Sequence, residues 1–88
     1  MKRIHLLGAS GSIGGSTLDI LRDRPGEFSL AGLSVHANTR ELAGMIAEFR
    51  PGRVAISDRS ARRAWLAEHP DQAGLLIDED APLSTLLD

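Results

Sequence analysis

Gly8-Ala9-Ser10-Gly11-Ser12-Ile13-Gly14 decides how this chain is read, because it closes a strand and opens a helix. Ahead of it runs Ile4-His5-Leu6-Leu7, short and mostly apolar. Behind it, Ser16-Thr17-Leu18-Asp19-Ile20-Leu21 returns apolar side chains at helical intervals. A glycine-rich turn between a strand and a helix N-terminus suits an anion. Free backbone N–H groups and the positive end of the helix dipole converge there. Gly8 allows the tight turn, Gly11 lets the backbone approach a pyrophosphate, and Gly14 lets the helix pack close to the sheet. The spacing is G-x-x-G-x-x-G, with Ser10 at the usual second glycine of the commoner G-x-G-x-x-G. The competing reading is a structural turn that binds nothing. Gly15 costs the helix start about 1 kcal/mol relative to alanine, which makes sense if something must approach the backbone. No Gly-Lys-Ser/Thr follows, so a Walker-type phosphate loop is excluded.

Outward from this turn the pattern alternates strand and helix, the signature of a parallel sheet with helices on its faces. A first strand covers about residues 3–7. The first helix starts near Ser12 and stops before Pro25-Gly26, which cannot continue it. Phe28 to Val35 reads as the second strand, with Leu30, Ala31, Leu33 and Val35 as its apolar members. Asn38 has the character of a helix N-cap, and Glu41 three residues on completes a capping box. Leu42, Met45, Ile46 and Phe49 then form an amphipathic stripe that ends at Pro51-Gly52. Val54-Ala55-Ile56 reads as a third strand. Ser60 to Glu68 reads as a third helix, with Ala61, Ala64 and Trp65 on one side and Arg62 and Arg63 solvated. Leu75-Leu76-Ile77 is a candidate fourth strand, Asp78-Glu79-Asp80 a solvated loop, and Pro82 the first turn of a last helix. The fold class is α/β: an incomplete, Rossmann-like parallel sheet with the first strand central among those present. No strand to flank the first on its far side is evident before Asp88, so the chain reads as truncated.

Composition narrows the function. The 88 residues are 42% apolar and 25% charged, ordinary values for one small globular domain. A net charge of −2 gives no electrostatic case for nucleic acid or an anionic membrane. Phe28, Phe49 and Trp65 are the only aromatic residues and make no base-stacking platform. Cysteine is absent, which excludes disulfides and thiolate metal sites. Met1-Lys2-Arg3 precedes too few apolar residues for a signal peptide, so a cytoplasmic location is the expectation.

The end of the second strand speaks to which nucleotide binds. An acidic residue there would accept hydrogen bonds from the adenosine ribose of NAD. The sequence instead reads Ser34-Val35-His36-Ala37-Asn38-Thr39-Arg40, with no carboxylate before Glu41 inside the next helix. Neutral donors plus Arg40 suit a 2′-phosphate, so NADP is favoured over NAD. By the same logic, aspartate at Ser34 or Val35 should shift preference toward NADH. Asn38 reads equally as a plain helix cap and His36 as a plain loop histidine. His5 and His69 read as structural or solvated.

These residues carry a resemblance. Gly8-Ala9-Ser10-Gly11-Ser12-Ile13-Gly14, then Ser16-Thr17-Leu18-Asp19, Pro25 and Phe28, resemble the opening of the 1-deoxy-D-xylulose 5-phosphate reductoisomerase family. Leu33-Ser34 running into Asn38, then Glu48-Phe49-Arg50-Pro51 and Val54-Ala55-Ile56, fit as well. The resemblance implies that Ser10, Gly11, Ser12 and Ile13 line the NADPH pyrophosphate, within the turn bounded by Gly8 and Gly14. It implies that His36, Ala37 and Asn38 meet the adenosine 2′-phosphate. Ala37 departs from the pattern, since many members carry a basic residue there, leaving His36 and Arg40 to supply positive charge.

The resemblance also implies an NADPH-dependent oxidoreductase that rearranges and reduces 1-deoxy-D-xylulose 5-phosphate to 2-C-methyl-D-erythritol 4-phosphate, early in non-mevalonate isoprenoid biosynthesis. A divalent metal, magnesium or manganese, would serve that reaction, with ligands in segments beyond those present here. The full-length enzyme is expected to be a homodimer acting on a sugar phosphate, without nucleic acid or membrane partners. Residues 1–88 would then be a partial dinucleotide-binding domain, inactive alone, with catalytic and C-terminal domains absent. The alternative is a stand-alone nucleotide-binding or regulatory module without catalysis, because no acid, base or nucleophile is arranged for chemistry. A reading frame that continues past codon 88 into a metal-carboxylate domain separates the two.

Overall fold

A computed structural model of the chain describes residues 2–8 and 12–87, without the side chains of 12–14 and 83. Three strands, β1 (Lys2–Leu6), β2 (Phe28–Val35) and β3 (Arg53–Ile56), form a parallel sheet. Helices α1 (Ser12–Asp23) and α2 (Leu42–Phe49) connect them, and α3 (Arg59–Glu68) follows β3. The strand order is β1-β2-β3. This corrects one expectation: β2 is the central strand, and among the described residues β1 lies at an edge. Each crossover moves the chain one place in the same direction, so the second strand is enclosed and the first is not.

The register explains the composition of β2. Ile4 pairs with Leu30, but His5 pairs with Gly32, so Ala31 is an extra residue in β2. Strict alternation would send Leu30 and Leu33 to opposite faces. The bulge returns both to the same core cluster, together with Ile4, Leu6, Phe28, Val35, Val54 and Ile56. Ala31 keeps its carbonyl satisfied, accepting from Gly52 N–H at 2.9 Å. All three helices pack on this face, contributing Leu18 and Leu21, Leu42 and Met45, and Trp65 to that cluster. The amphipathic stripe read in α2 holds, with Leu42 and Met45 buried and Ile46 and Phe49 packed against the core. Arg22 ties α1 to α2 by a forked pair to Glu48, Nε at 2.6 Å and Nη2 at 2.9 Å, and lies over the Phe49 ring. That pair holds the Glu48 carboxyl below the usual carboxylate range. Its small contribution is present above the ordinary carboxylate pKa and is lost as pH falls through the lowered one.

The opposite face is thinner. His5, Gly32 and Arg53 share one row across the sheet, next to the core row Leu6–Leu33–Val54. A 3₁₀ helix at Leu83–Leu87 covers this row with Leu86, which is 1% exposed. Arg53 Nη1 donates to Thr85 O at 2.8 Å and fixes that helix in place. Gly32 makes the fit possible, since a Cβ there would lie 2.9 Å from His5 Cδ2 and 3.2 Å from Leu86 O. Gly32→Val should therefore overpack this layer and cost about 1–3 kcal/mol. A melting temperature lower by roughly 4–24 °C is the expected result for a domain of this size, and an unchanged one would contradict the packing described.

Three elements differ from expectation. Leu75-Leu76-Ile77 is not a strand: Pro70–Leu75 is a 3₁₀ helix, and only Leu76 bridges Val54 in parallel. The segment after Pro82 is 3₁₀ and not α-helical. On α3, Asp58 is the N-cap and accepts from Ala61 N–H at 3.0 Å, starting the helix at Arg59. Ala64 is exposed, whereas Arg62 is half-buried and donates to Ile77 O at 3.2 Å. The acidic loop is solvated as expected at Asp78 and Asp80, which are exposed, and Asp80 lies 2.6 Å from Arg59 at the surface.

Candidate functional site

The C-terminal ends of β1 and β2 bring Gly8, the first residue of the glycine turn, beside Ser34 of β2. Gly8 ends β1's path with φ +72°, a left-handed backbone that glycine adopts without a Cβ penalty. Its N–H donates to Ser34 Oγ at 3.1 Å. Ser34 is 4% exposed and stands between Leu33 and Val35 of β2. The Gly8–Gly14 motif therefore begins on a turn tied to the central strand. Ser10 and Gly11 lie outside the described residues. Ser12, Ile13 and Gly14 form the first turn of α1, the end of a helix at which backbone N–H groups lack intrahelical partners. A Cβ at Gly15 would meet nothing within 4 Å among the described residues, so protein packing gives no reason for glycine there.

The second half of the site follows β2. Ser57 N–H donates to Val35 O at 3.0 Å and Asp58 N–H to His36 O at 2.9 Å, which fixes the backbone as it leaves the sheet. His36, Ala37, Asn38 and Arg40 are all exposed. Asn38 does not cap α2. Its Oδ1 accepts from Arg40 N–H at 3.2 Å, two residues on, in an Asx turn. Leu42 N–H then bonds Thr39 O, and α2 begins with Glu41 as an N-cap that makes no side-chain hydrogen bond. The short turn displaces the helix start by three residues, because asparagine satisfies the nearer N–H first. Glu41 consequently stands at the mouth of the helix. With Asn38, Arg40 and Met45 it lines a depression of ≈ 120 Å³. No described carboxylate pairs with Arg40, whereas Arg22, Arg24, Arg59 and Arg63 are each paired.

Two further groups lie elsewhere. A larger depression, ≈ 510 Å³, sits at the other end of β2 between Leu21, Pro25, Phe28, Glu48 and Phe49. It is remote from the turn and shares no residue with the site. His69 stacks on Trp65 with ring centroids 4.5 Å apart, and so is structural as expected. No three His, Asp or Glu side chains among the described residues stand together to hold a metal ion. Sequence reasoning missed Ser34 as a contact of the turn and Glu41 as a lining residue. The signal for Ser34 was a hydroxyl between Leu33 and Val35, inside the apolar stretch of the strand.

This geometry has close counterparts. The family model of 1-deoxy-D-xylulose 5-phosphate reductoisomerase matches residues 4–81. The chain belongs to that family. The reductoisomerase of Geobacillus kaustophilus is 44% identical over 80 residues, covering 91% of this chain and 21% of the relative. That of Gloeobacter violaceus is 49% identical over 67 residues, covering 76% and 17%. A crystal structure of DOX-P reductoisomerase in complex with magnesium superposes with a TM-score of 0.70 at 32% identity, covering 85% of this chain and 18% of that one. A second structure, with fosmidomycin and magnesium, matches equally. The chain thus spans about a fifth of the length of the curated reductoisomerases it matches. Among its described residues no helix is long and apolar enough to cross a membrane.

Proposed function

We propose that residues 1–88 form the N-terminal part of the NADPH-binding domain of a reductoisomerase converting 1-deoxy-D-xylulose 5-phosphate to 2-C-methyl-D-erythritol 4-phosphate. The observation that carries the reading is the left-handed Gly8, anchored to β2 and leading through the glycine turn into α1, in a chain of this family. Gly8, Ser10, Gly11, Ser12, Ile13 and Gly14 would hold the pyrophosphate, and His36, Ala37, Asn38 and Arg40 the adenosine end. The first turn of α1, and Arg40, with which no described carboxylate pairs, fit an anionic nucleotide. When bound, NADPH supplies the hydride; this chain's residues bind and orient it. A divalent metal has no fitting ligand set among the described residues, so magnesium or manganese would be held by other parts of the enzyme. The sugar-phosphate site, a homodimeric assembly and a cytoplasmic location complete the proposal.

The test is direct. Purified enzyme carrying this chain should oxidise NADPH on addition of 1-deoxy-D-xylulose 5-phosphate and magnesium, with 2-C-methyl-D-erythritol 4-phosphate as the product by mass spectrometry. Absence of substrate-dependent oxidation would overturn the assignment.

Glu41 gives a second reading of the nucleotide some support, because a carboxylate beside Arg40 is suited to the ribose hydroxyls of NADH. Arg40 decides between them if a 2′-phosphate binds there. Arg40→Ala should then weaken NADPH by about tenfold while leaving NADH nearly unchanged, the worth of one charge-assisted contact. Titration with both nucleotides checks this, and equal losses would remove Arg40 from the phosphate site. Ser34 and Val35 are poor places for the aspartate test, since both are buried, at 4% and 1% exposure. A charge there would unfold the strand before it repelled a ligand. Exposed Ala37 is the position at which aspartate tests the same idea.

A further inference from the structure

We propose that Ser34 is a positioning residue for the cofactor, holding the start of the glycine turn in its receptive shape before the nucleotide arrives. This rests on the NADPH reading above. Ser34 is the one polar side chain among the described residues that is buried as deeply as the core, at 4% exposed. Between Leu33 and Val35, alanine or valine would fill this position without bringing a polar group inside. A buried hydroxyl needs a partner, and Ser34 Oγ has found one 26 residues away in Gly8 N–H, at 3.1 Å.

The choice of partner matters because glycine has the widest backbone freedom of any residue. Among the described residues, a Cβ built at Gly8 would meet nothing within 4 Å. Gly8 holds a φ of +72°, and the described hydrogen bond of its N–H is the one to Ser34 Oγ. Just beyond Ser34, Ser57 N–H bonds Val35 O and Asp58 N–H bonds His36 O, tying the end of β2 to the residues after β3. A turn held in advance binds its ligand without first being ordered, and this gain shows in affinity and not in the chemical step.

Ser34→Ala and Ser34→Thr, made in the enzyme carrying this chain, separate positioning from packing. Three quantities are compared with the parent: the NADPH Kd by fluorescence titration, KM against kcat, and hydrogen exchange of the Gly8 amide in the cofactor-free protein. Ser34→Ala should raise Kd and the NADPH KM by about tenfold, the loss of one hydrogen bond, while kcat stays near the parent value. Gly8 exchange should accelerate in parallel. Ser34→Thr keeps the hydroxyl and should restore both affinity and protection. An unchanged Kd, or an unchanged Gly8 exchange rate, in Ser34→Ala would overturn the proposal while leaving the cofactor reading intact. A parent enzyme that fails to bind NADPH would instead sink the cofactor reading and this proposal with it.

Discussion

Gly11→Val is expected to abolish NADPH binding in the enzyme that carries this chain, while Ser10→Thr leaves it nearly intact. Gly11 is the central glycine of the turn, three residues after the left-handed Gly8 and one before α1 begins at Ser12. A pyrophosphate bound by backbone N–H groups must come within hydrogen-bonding distance of the main chain, and a branched side chain at residue 11 stands in its way. Losing two such contacts to a charged group is worth about 3 kcal/mol or more, a hundredfold or greater loss in affinity. Threonine at residue 10 keeps a hydroxyl able to donate. Equilibrium titration of both variants checks the contrast, and equal tolerance at the two positions would contradict a phosphate cradle.

The 88-residue chain in isolation is expected to be catalytically inactive and to bind NADPH weakly. In doubly wound sheets the dinucleotide lies across the point where strand order reverses, outside the C-terminal ends of the strands. The described sheet runs β1-β2-β3 in one direction, with the edge of β1 unpaired among the described residues. Half of such a crevice offers the adenosine and pyrophosphate contacts but no wall for the nicotinamide. An open strand edge also invites association with other chains. Calorimetric titration of the purified chain should show dissociation well above the micromolar range. Submicromolar binding would show a self-sufficient module and favour the non-catalytic alternative.

The elements that alternate plainly were legible in the sequence. Phe28–Val35 is bounded by Pro25-Gly26 on one side and a polar run on the other, and the strand has those limits. Helix α1 starts at Ser12 and stops before Pro25 for the stated reasons. What the sequence hid was competition between local signals of similar strength. Asn38 and Glu41 have capping-box spacing, yet Asn38 bonds the nearer amide of Arg40 and the helix waits until Leu42. Leu75-Leu76-Ile77 is apolar enough for a strand, but Pro70 starts a 3₁₀ turn that leaves only Leu76 extended against Val54. The bulge at Ala31 left a trace, because Leu30 and Leu33 break a period of two, but that trace needs the register of β1 to be read.

For the site, residue types were legible and their relations were not. The glycine turn and the exposed run from His36 to Arg40 could be named from sequence. That Ser34 grips Gly8, or that Glu41 shares a depression with Arg40, depends on contacts between parts of the chain that sequence alone does not order. The edge position of β1 likewise follows from the direction of two crossovers, which no local pattern encodes.

The central claim is that the nucleotide lies at the C-terminal ends of β1 and β2, and amide chemical-shift mapping of the isotope-labelled chain with millimolar NADPH tests it most directly. Weak binding suffices for this measurement. Shifts are expected only at Gly8 through Gly14 and at His36 through Arg40, larger for NADPH than for NADH at the second segment. Shifts clustered instead at Leu21, Phe28 and Phe49, around the larger depression at the far end of β2, would contradict it.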